Sequence, residues 1–176
     1  MTISWTLLIA GFALAGEAGK ENEAQTRQLV ATIQKLGGSV RRDAIDPEHP
    51  PISVNLNHTR IGDDFLGRLR QLRHLQTLKL DFNRVSDSGL AYLKDLPDLR
   101  RLDLACTRIT DAGLVHLTQL PNLERLDLSG TKVSDAGLVT LSKIKSLRYL
   151  YLVGTPTSTI GLRTLQQYLP AVTIVR

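Results

Sequence analysis

Cysteine, aromatics, clustered basic residues and long apolar runs are all scarce in this chain. One cysteine in 176 residues excludes a disulfide framework and any cysteine-based zinc site within a single chain. The aromatics number one Trp, four Tyr and three Phe, so each one on a surface carries information. No cluster of four or more Lys/Arg occurs, which argues against a concentrated nucleic-acid patch. The N-terminal apolar run, residues 3–15, falls short of the ~18 residues a spanning helix needs. A mean hydropathy of −0.06 excludes a polytopic membrane protein, and 42% hydrophobic residues exclude a disordered polymer. Leucine is what abounds: 32 residues, about twice the usual share.

Charge is uneven. Lys+Arg 22 against Asp+Glu 17 gives +5. Residues 16–50 hold five basic and six acidic groups, and residues 51–176 hold 17 and 11, a balance of +6. That excess is mild over such a length, so no specific nucleic-acid partner is expected.

Residues 3–15 carry no charged side chain, and Ala13-Leu14-Ala15 before Gly16 has the small–x–small form of a signal-peptidase site. The segment 1–15 is therefore expected to be a signal peptide. The mature chain would begin near Gly16, exported to the periplasm, cell surface or medium, with no transmembrane segment. No Lys or Arg precedes the apolar core. The competing reading is a buried apolar helix capping the fold, in which case the chain stays cytoplasmic.

The leucines fall on a lattice. Leu75, Leu99, Leu123 and Leu147 are 24 residues apart, and each opens a block L-x-x-L-x-L-x-x-(T/N)-x-(V/I)-(S/T)-D-x-G-L-x-x-L-x-x-L. Residues 51–74 fit the same register, and Leu147 begins a fifth block with one extra residue before Pro170. Leu102 and Leu104 alternate with period two, as in a strand. Leu114, Leu117 and Leu120 recur every three residues, as on one helix face. Each block thus reads as strand, turn, short helix and return, and its apolar face is covered only by stacking neighbours. The ninth position (Thr59, Asn83, Thr107, Thr131, Thr155) supplies a polar group where the chain leaves the strand. The thirteenth (Asp63, Asp87, Asp111, Asp135), preceded in three cases by Ser or Thr, is read as a helix start at which a hydroxyl or carboxylate accepts the orphan N–H groups.

These blocks resemble the leucine-rich repeat family, in particular the bacterial exported variety. They are also similar to the cysteine-containing repeat subtype of F-box-associated receptors. No F-box precedes them, so a role in ubiquitin ligation is not implied. The resemblance covers 51–170 and implies an α/β fold: a right-handed leucine-rich repeat solenoid, with short parallel strands on the concave face and short helices on the convex face. The expected division is 1–15 signal peptide, 16–50 N-terminal helical cap and loop, and 51–176 five 24-residue repeats with a degenerate C-terminal cap. In the cap, Ala24, Leu29, Val30, Ile33 and Leu36 lie at helical spacing before Gly37-Gly38. A short strand near Val40 and a loop at 46–51 follow. Val172, Ile174 and Val175 read as a last partial strand, and the solenoid reads as closed at both ends.

Outward strand positions form columns: Ser53, Thr77, Arg101, Arg125, Tyr149, and beside it Asn55, Lys79, Asp103, Asp127, Tyr151. The candidate binding residues are Tyr149, Tyr151, Arg101, Arg125, Lys79, Phe82 and His58. Tyr149 and Tyr151 are either contact anchors or simply β-favouring aromatics on a late strand. Arg101 with Asp103, and Arg125 with Asp127, are expected to pair along or across strands. Arg60, Arg84, Arg108 and Lys132 form a basic column in the turns, expected either to pair with the aspartate three residues after each or to be plainly solvated. The four histidines show no metal or His–carboxylate spacing, Cys106 has no nearby base, and no nucleophile motif occurs. Accordingly no catalytic residue, metal or cofactor is expected. The expected function is a non-catalytic, monomeric protein-binding module using the concave face. The alternative is glycan or polyanion binding at the cell envelope through the basic turn column.

Overall fold

A computed structural model describes residues 17–42 and 52–176. The expected signal segment and the loop at 46–51 lie outside these residues. Helix α1 (Glu17–Lys35) is followed by strands β1 (Ser39–Arg42), β2 (Ile52–Asn55), β3 (Leu75–Lys79), β4 (Arg101–Asp103), β5 (Arg125–Asp127), β6 (Tyr149–Tyr151) and β7 (Thr173–Val175). Between β2 and β7 lie the helices α2 (Asp63–Leu66), α3 (Asp87–Leu90), α4 (Leu114–Leu117), α5 (Asp135–Leu141) and α6 (Thr159–Tyr168). The first three returns are partly 3₁₀-helical, at Gly67–Gln71, Ala91–Asp95 and Asp111–Gly113. Short 3₁₀ turns suit a return with few residues in which to reverse direction.

The seven strands form one sheet in chain order, β1 to β7. From β2 to β7 all pairs are parallel and the register follows the repeat: Leu78 pairs with Leu102, Leu102 with Leu126, and Leu126 with Leu150. Strand β1 departs from the parallel expectation, running antiparallel to β2 with Val40 opposite Val54. It is delivered by α1, which ends on a left-handed Gly37 (φ 85°). The N–H groups of Gly37 and Gly38 donate to the carbonyls of Gln34 and Ile33, a Schellman closure. A side chain at position 38 would collide with the Asn55 carbonyl and with Ile33, so the second glycine lets α1 dock against β2.

The core is the leucine lattice. Leu75, Leu78, Leu80, Leu90, Leu93 and Leu96, with their counterparts in later blocks, are essentially inaccessible to solvent. Leu29 and Ile33 of α1 join the same cluster at the β2 end. Strands stack ~4.8 Å apart whereas helices are ~10 Å wide, so the strands take the inner side of the curve.

The S/T-D-x-G run is explained by contacts between blocks. The expected capping role belongs to the hydroxyls: Thr110, Ser134 and Ser158 accept the N–H of Ala112, Ala136 and Gly161. The aspartates act elsewhere. Asp63 accepts both the N–H (2.8 Å) and the hydroxyl of Ser86, one repeat on. Asp87 does the same for Thr110, Asp111 for Ser134 and Asp135 for Ser158. Each carboxylate also fills the space where a side chain would stand at Gly89, Gly113, Gly137 or Gly161. Aspartate of one block, hydroxyl and glycine of the next are therefore one interlock. The first block has no block before it, and there Gly62 and Phe65 stand at the hydroxyl and glycine positions. In the fifth, Thr159 stands in the aspartate's place.

The ninth-position residues behave as the sequence suggests. Thr59, Thr107, Thr131 and Thr155 donate to the carbonyl three residues back, at 2.6–2.8 Å. Asn83 does more. Its amide donates to the Leu56 and Leu80 carbonyls and its oxygen accepts the Ile61 N–H, tying two repeats together.

Candidate functional site

The outward strand side chains sort into zones. Nearest the start of the strands lie Arg101 and Tyr149, both exposed, with the half-buried Arg125 between them in register. Tyr149 is 49% exposed, and its side chain has no ring or hydrogen-bond partner among the described residues. Tyr151 is engaged: the Arg125 guanidinium lies 4.2 Å from its ring centroid and donates to its hydroxyl at 2.6 Å. This contact is both cation–π and hydrogen bond, and it fixes the pair as a preformed surface.

Of the pairing expected among Arg101, Asp103, Arg125 and Asp127, the along-strand pairs do not form and one cross-strand pair does, Arg125 with Asp103. Asp103 instead sits between strands, 3.9 Å from Lys79 Nζ on one side and from Arg125 Nε on the other. Residues i and i+2 of one strand are farther apart than cross-strand neighbours, so the carboxylate turns sideways to its neighbours. Asp127 accepts the Ser129 N–H, and Arg101 has no ion pair among the described residues. Burial pushes the Asp103 carboxyl above its ordinary value, the negative charge of Asp81 adds to that, and Lys79 and Arg125 pull it back. Burial likewise raises Asp81, against the hydrogen bond from the Ala105 N–H and despite the Asn57 amide. Half-buried Lys79 is thus an inner partner of the acidic centre, and it stands one strand away from Arg101.

His58 and Phe82 lie beyond the strand ends. Both are exposed, stacked with ring centroids 4.4 Å apart and planes 12° from parallel. They hold left-handed backbone (φ 60° and 59°), as does Cys106 (φ 54°), where the next two repeats have Gly130 and Gly154. A left-handed conformation in a non-glycine residue is strained. The seven candidates therefore divide: Arg101, Arg125, Tyr149, Tyr151 and Lys79 share the strand face, while Phe82 and His58 form a separate rim.

In the turn column the internal pairing drops out and solvation is what stands. The aspartates expected to neutralise Arg60, Arg84, Arg108 and Lys132 give both carboxylate oxygens to the next repeat's Ser or Thr. All four cations are exposed, and none is ion-paired among the described residues. A histidine–carboxylate contact that spacing rules overlook does exist: His74 Nδ1 lies 3.0 Å from Asp98, and both side chains are 40% exposed. The repeat period of 24 brings them together. Arg100 and Glu124, also one period apart, form a surface ion pair. Among the described residues no group of three or more His, Cys, Asp or Glu could hold a metal, and no helix is long and apolar enough to cross a membrane.

Comparison with known proteins bears on the fold. A family profile described as "Leucine rich repeat" matches residues 73–133 and 97–156. Among solved structures, an internalin C2 from Listeria monocytogenes is 28% identical, covering 69% of this chain and 50% of that one with a TM-score of 0.52. An internalin (InlF) of the same species is 24% identical over 62% of this chain and 30% of that one, TM-score 0.49. A leucine-rich repeat protein of Leptospira interrogans is 22% identical over 62% and 33%, TM-score 0.45. This chain thus spans half or less of the length of each. A search of curated protein sequences finds no match. The family profile and the internalin C2 likeness together show the fold: the chain is wound as a leucine-rich repeat solenoid.

Proposed function

We propose that the chain is a non-catalytic protein-binding module that takes its partner on the strand face, centred on Tyr149, Tyr151, Arg125 and Arg101. Leucine-rich repeat domains are generally protein-interaction scaffolds, and that generality is an argument from fold. The observation that carries the reading further is Tyr149. It stands exposed beside a tyrosine–arginine pair that is already ordered, and rigid aromatics next to arginine are the composition of interface hot spots. A preformed pair loses little conformational freedom on binding. Lys79 and Asp103 set the charge of the neighbouring floor, and His58 and Phe82 form its far rim.

Export follows as part of the same proposal, with 1–15 removed as a signal peptide, 16–50 as N-terminal cap and 51–176 as a monomeric binding domain. The bacterial identity of the similar structures is consistent with it. The test is direct. Tyr149→Ala with Tyr151→Ala should weaken capture of the partner from an envelope extract at least tenfold, and unchanged capture would refute the site. N-terminal sequencing of the native protein tests export: a chain still beginning at Met1 would sink that part.

A further inference from the structure

The unpaired cations of the turn column are not explained by a strand-face partner. Arg84, Arg108 and Lys132 donate their backbone N–H groups to the carbonyls of Ile61, Val85 and Ile109 in the preceding block. Isolated parallel bridges Ser86–Arg108 and Thr110–Lys132 continue the same contact. The turns therefore form a second, narrow ladder, and it holds Arg84, Arg108 and Lys132 one strand spacing apart, ~4.8 Å, with Arg60, in left-handed backbone (φ 61°), at the same position of the first block. Like charges at that spacing repel one another, and the carboxylates that would relieve them are committed to the repeat interlock.

Two residues before Arg60 and Arg84 stand His58 and Phe82, the exposed stacked pair held in strained backbone. Phe82 is 53% exposed. Further along, Gly130 and Gly154 offer no side chain, and a Cβ at Gly154 would meet nothing closer than 3.9 Å. The rim thus combines a regular row of free cations with a flat aromatic platform at one end and open backbone at the other.

We propose that this rim binds an acidic polysaccharide, a glycan carrying a carboxylate on successive sugars. Sugar carboxylates would pair with the arginines, and the apolar face of one pyranose ring would stack on Phe82. An extended acidic peptide can pair with the same cations, but its carboxylate side chains offer no apolar ring face to lay on Phe82. The glycan is a second ligand, independent of the strand-face partner.

The probe is a decamer of galacturonic acid, measured against uncharged dextran and against polyglutamate of equal charge. The galacturonate decamer should bind at 50 mM salt and weaken roughly 10- to 100-fold at 200 mM, as expected when about four ion contacts form. Arg84→Glu with Arg108→Glu should cost at least tenfold. Arg84→Lys with Arg108→Lys should stay within about threefold, since charge is kept. If the reversed pair lowers the melting temperature, Arg84→Gln with Arg108→Gln gives the same reading without adding carboxylates. Phe82→Ala should cost several-fold with the salt slope unchanged, and Tyr149→Ala with Tyr151→Ala should have no effect. No binding at 50 mM salt, or equal binding by the charge-altered proteins, overturns the proposal. So does polyglutamate binding as tightly with no dependence on Phe82, which would assign the rim to an acidic protein segment.

Discussion

Replacing Asp87 by alanine tests whether the repeats are fastened by the aspartate interlock. The carboxylate accepts the Thr110 N–H at 2.8 Å and the Thr110 hydroxyl at 2.6 Å. Hydrogen bonds to a charged acceptor are worth ~1.5–3 kcal/mol each, and half-buried groups recover part of that from water, so the loss should total about 2–4 kcal/mol. In a chain of this size that lowers the melting temperature by roughly 4–16 °C. Gly113→Ala should also destabilise, by ~1–3 kcal/mol, through crowding. The three nearest atoms a Cβ would meet there belong to Asp87, with its Cγ at 2.9 Å and its Cα at 3.0 Å. Removing the carboxylate first relieves the two nearest of these contacts and leaves only the backbone Cα at 3.0 Å. The double variant Asp87→Ala/Gly113→Ala should therefore lose less than the sum of the singles, by about 1 kcal/mol or more. Urea unfolding of the four proteins measures this. Additivity within about 0.4 kcal/mol would refute the claim that aspartate and glycine are one device.

Other consequences concern single sites. Asn83→Ala should cost about 3 kcal/mol or more, since the side chain bonds carbonyls in two repeats and accepts the Ile61 N–H. Asn83→Thr, which restores the neighbouring blocks' residue, should recover part of that in the same urea measurement. Cys106→Gly should stabilise by about 1 kcal/mol by relieving a left-handed cysteine (φ 54°), seen as a melting temperature a few degrees higher. For pH, Asp103 has its carboxyl raised above 3.8 by burial, so the folded state holds that proton more tightly than the unfolded chain. Its contribution to stability is full below pH 3.8 and is lost as pH rises through the folded value. Asp103→Asn should flatten that part of the stability profile without lowering stability at pH 7. A carboxyl NMR titration placing Asp103 at or below 3.8 would contradict this.

The leucine lattice was legible because hydrophobic periodicity is a local property, carried by every block in the same register. The contacts between blocks were not read from it, since the rules for caps and ion pairs look three or four residues along the chain. Asp63 meets Ser86 23 residues away, and His74 meets Asp98 24 away. In a solenoid these separations are nearest-neighbour distances, and that signal was present in the repeat period. The antiparallel β1 carries no such signal, because a four-residue strand near Val40 does not encode its direction. On the candidate face, the columns followed from strand alternation, but the sequence did not distinguish Tyr149 from Tyr151. The difference comes from Arg125, whose guanidinium settles on Tyr151 and leaves Tyr149 open.

The central claim, that the strand face receives a protein partner, is tested most directly by placing a photocrosslinking amino acid at Tyr149 and, separately, at Val139. Val139 is 65% exposed on helix α5, so both probes meet solvent and neither disturbs the core. In the native cell, irradiation should give one discrete protein adduct from position 149 and none from position 139. An adduct at 139 with none at 149 would place the partner on the helix side and contradict the account.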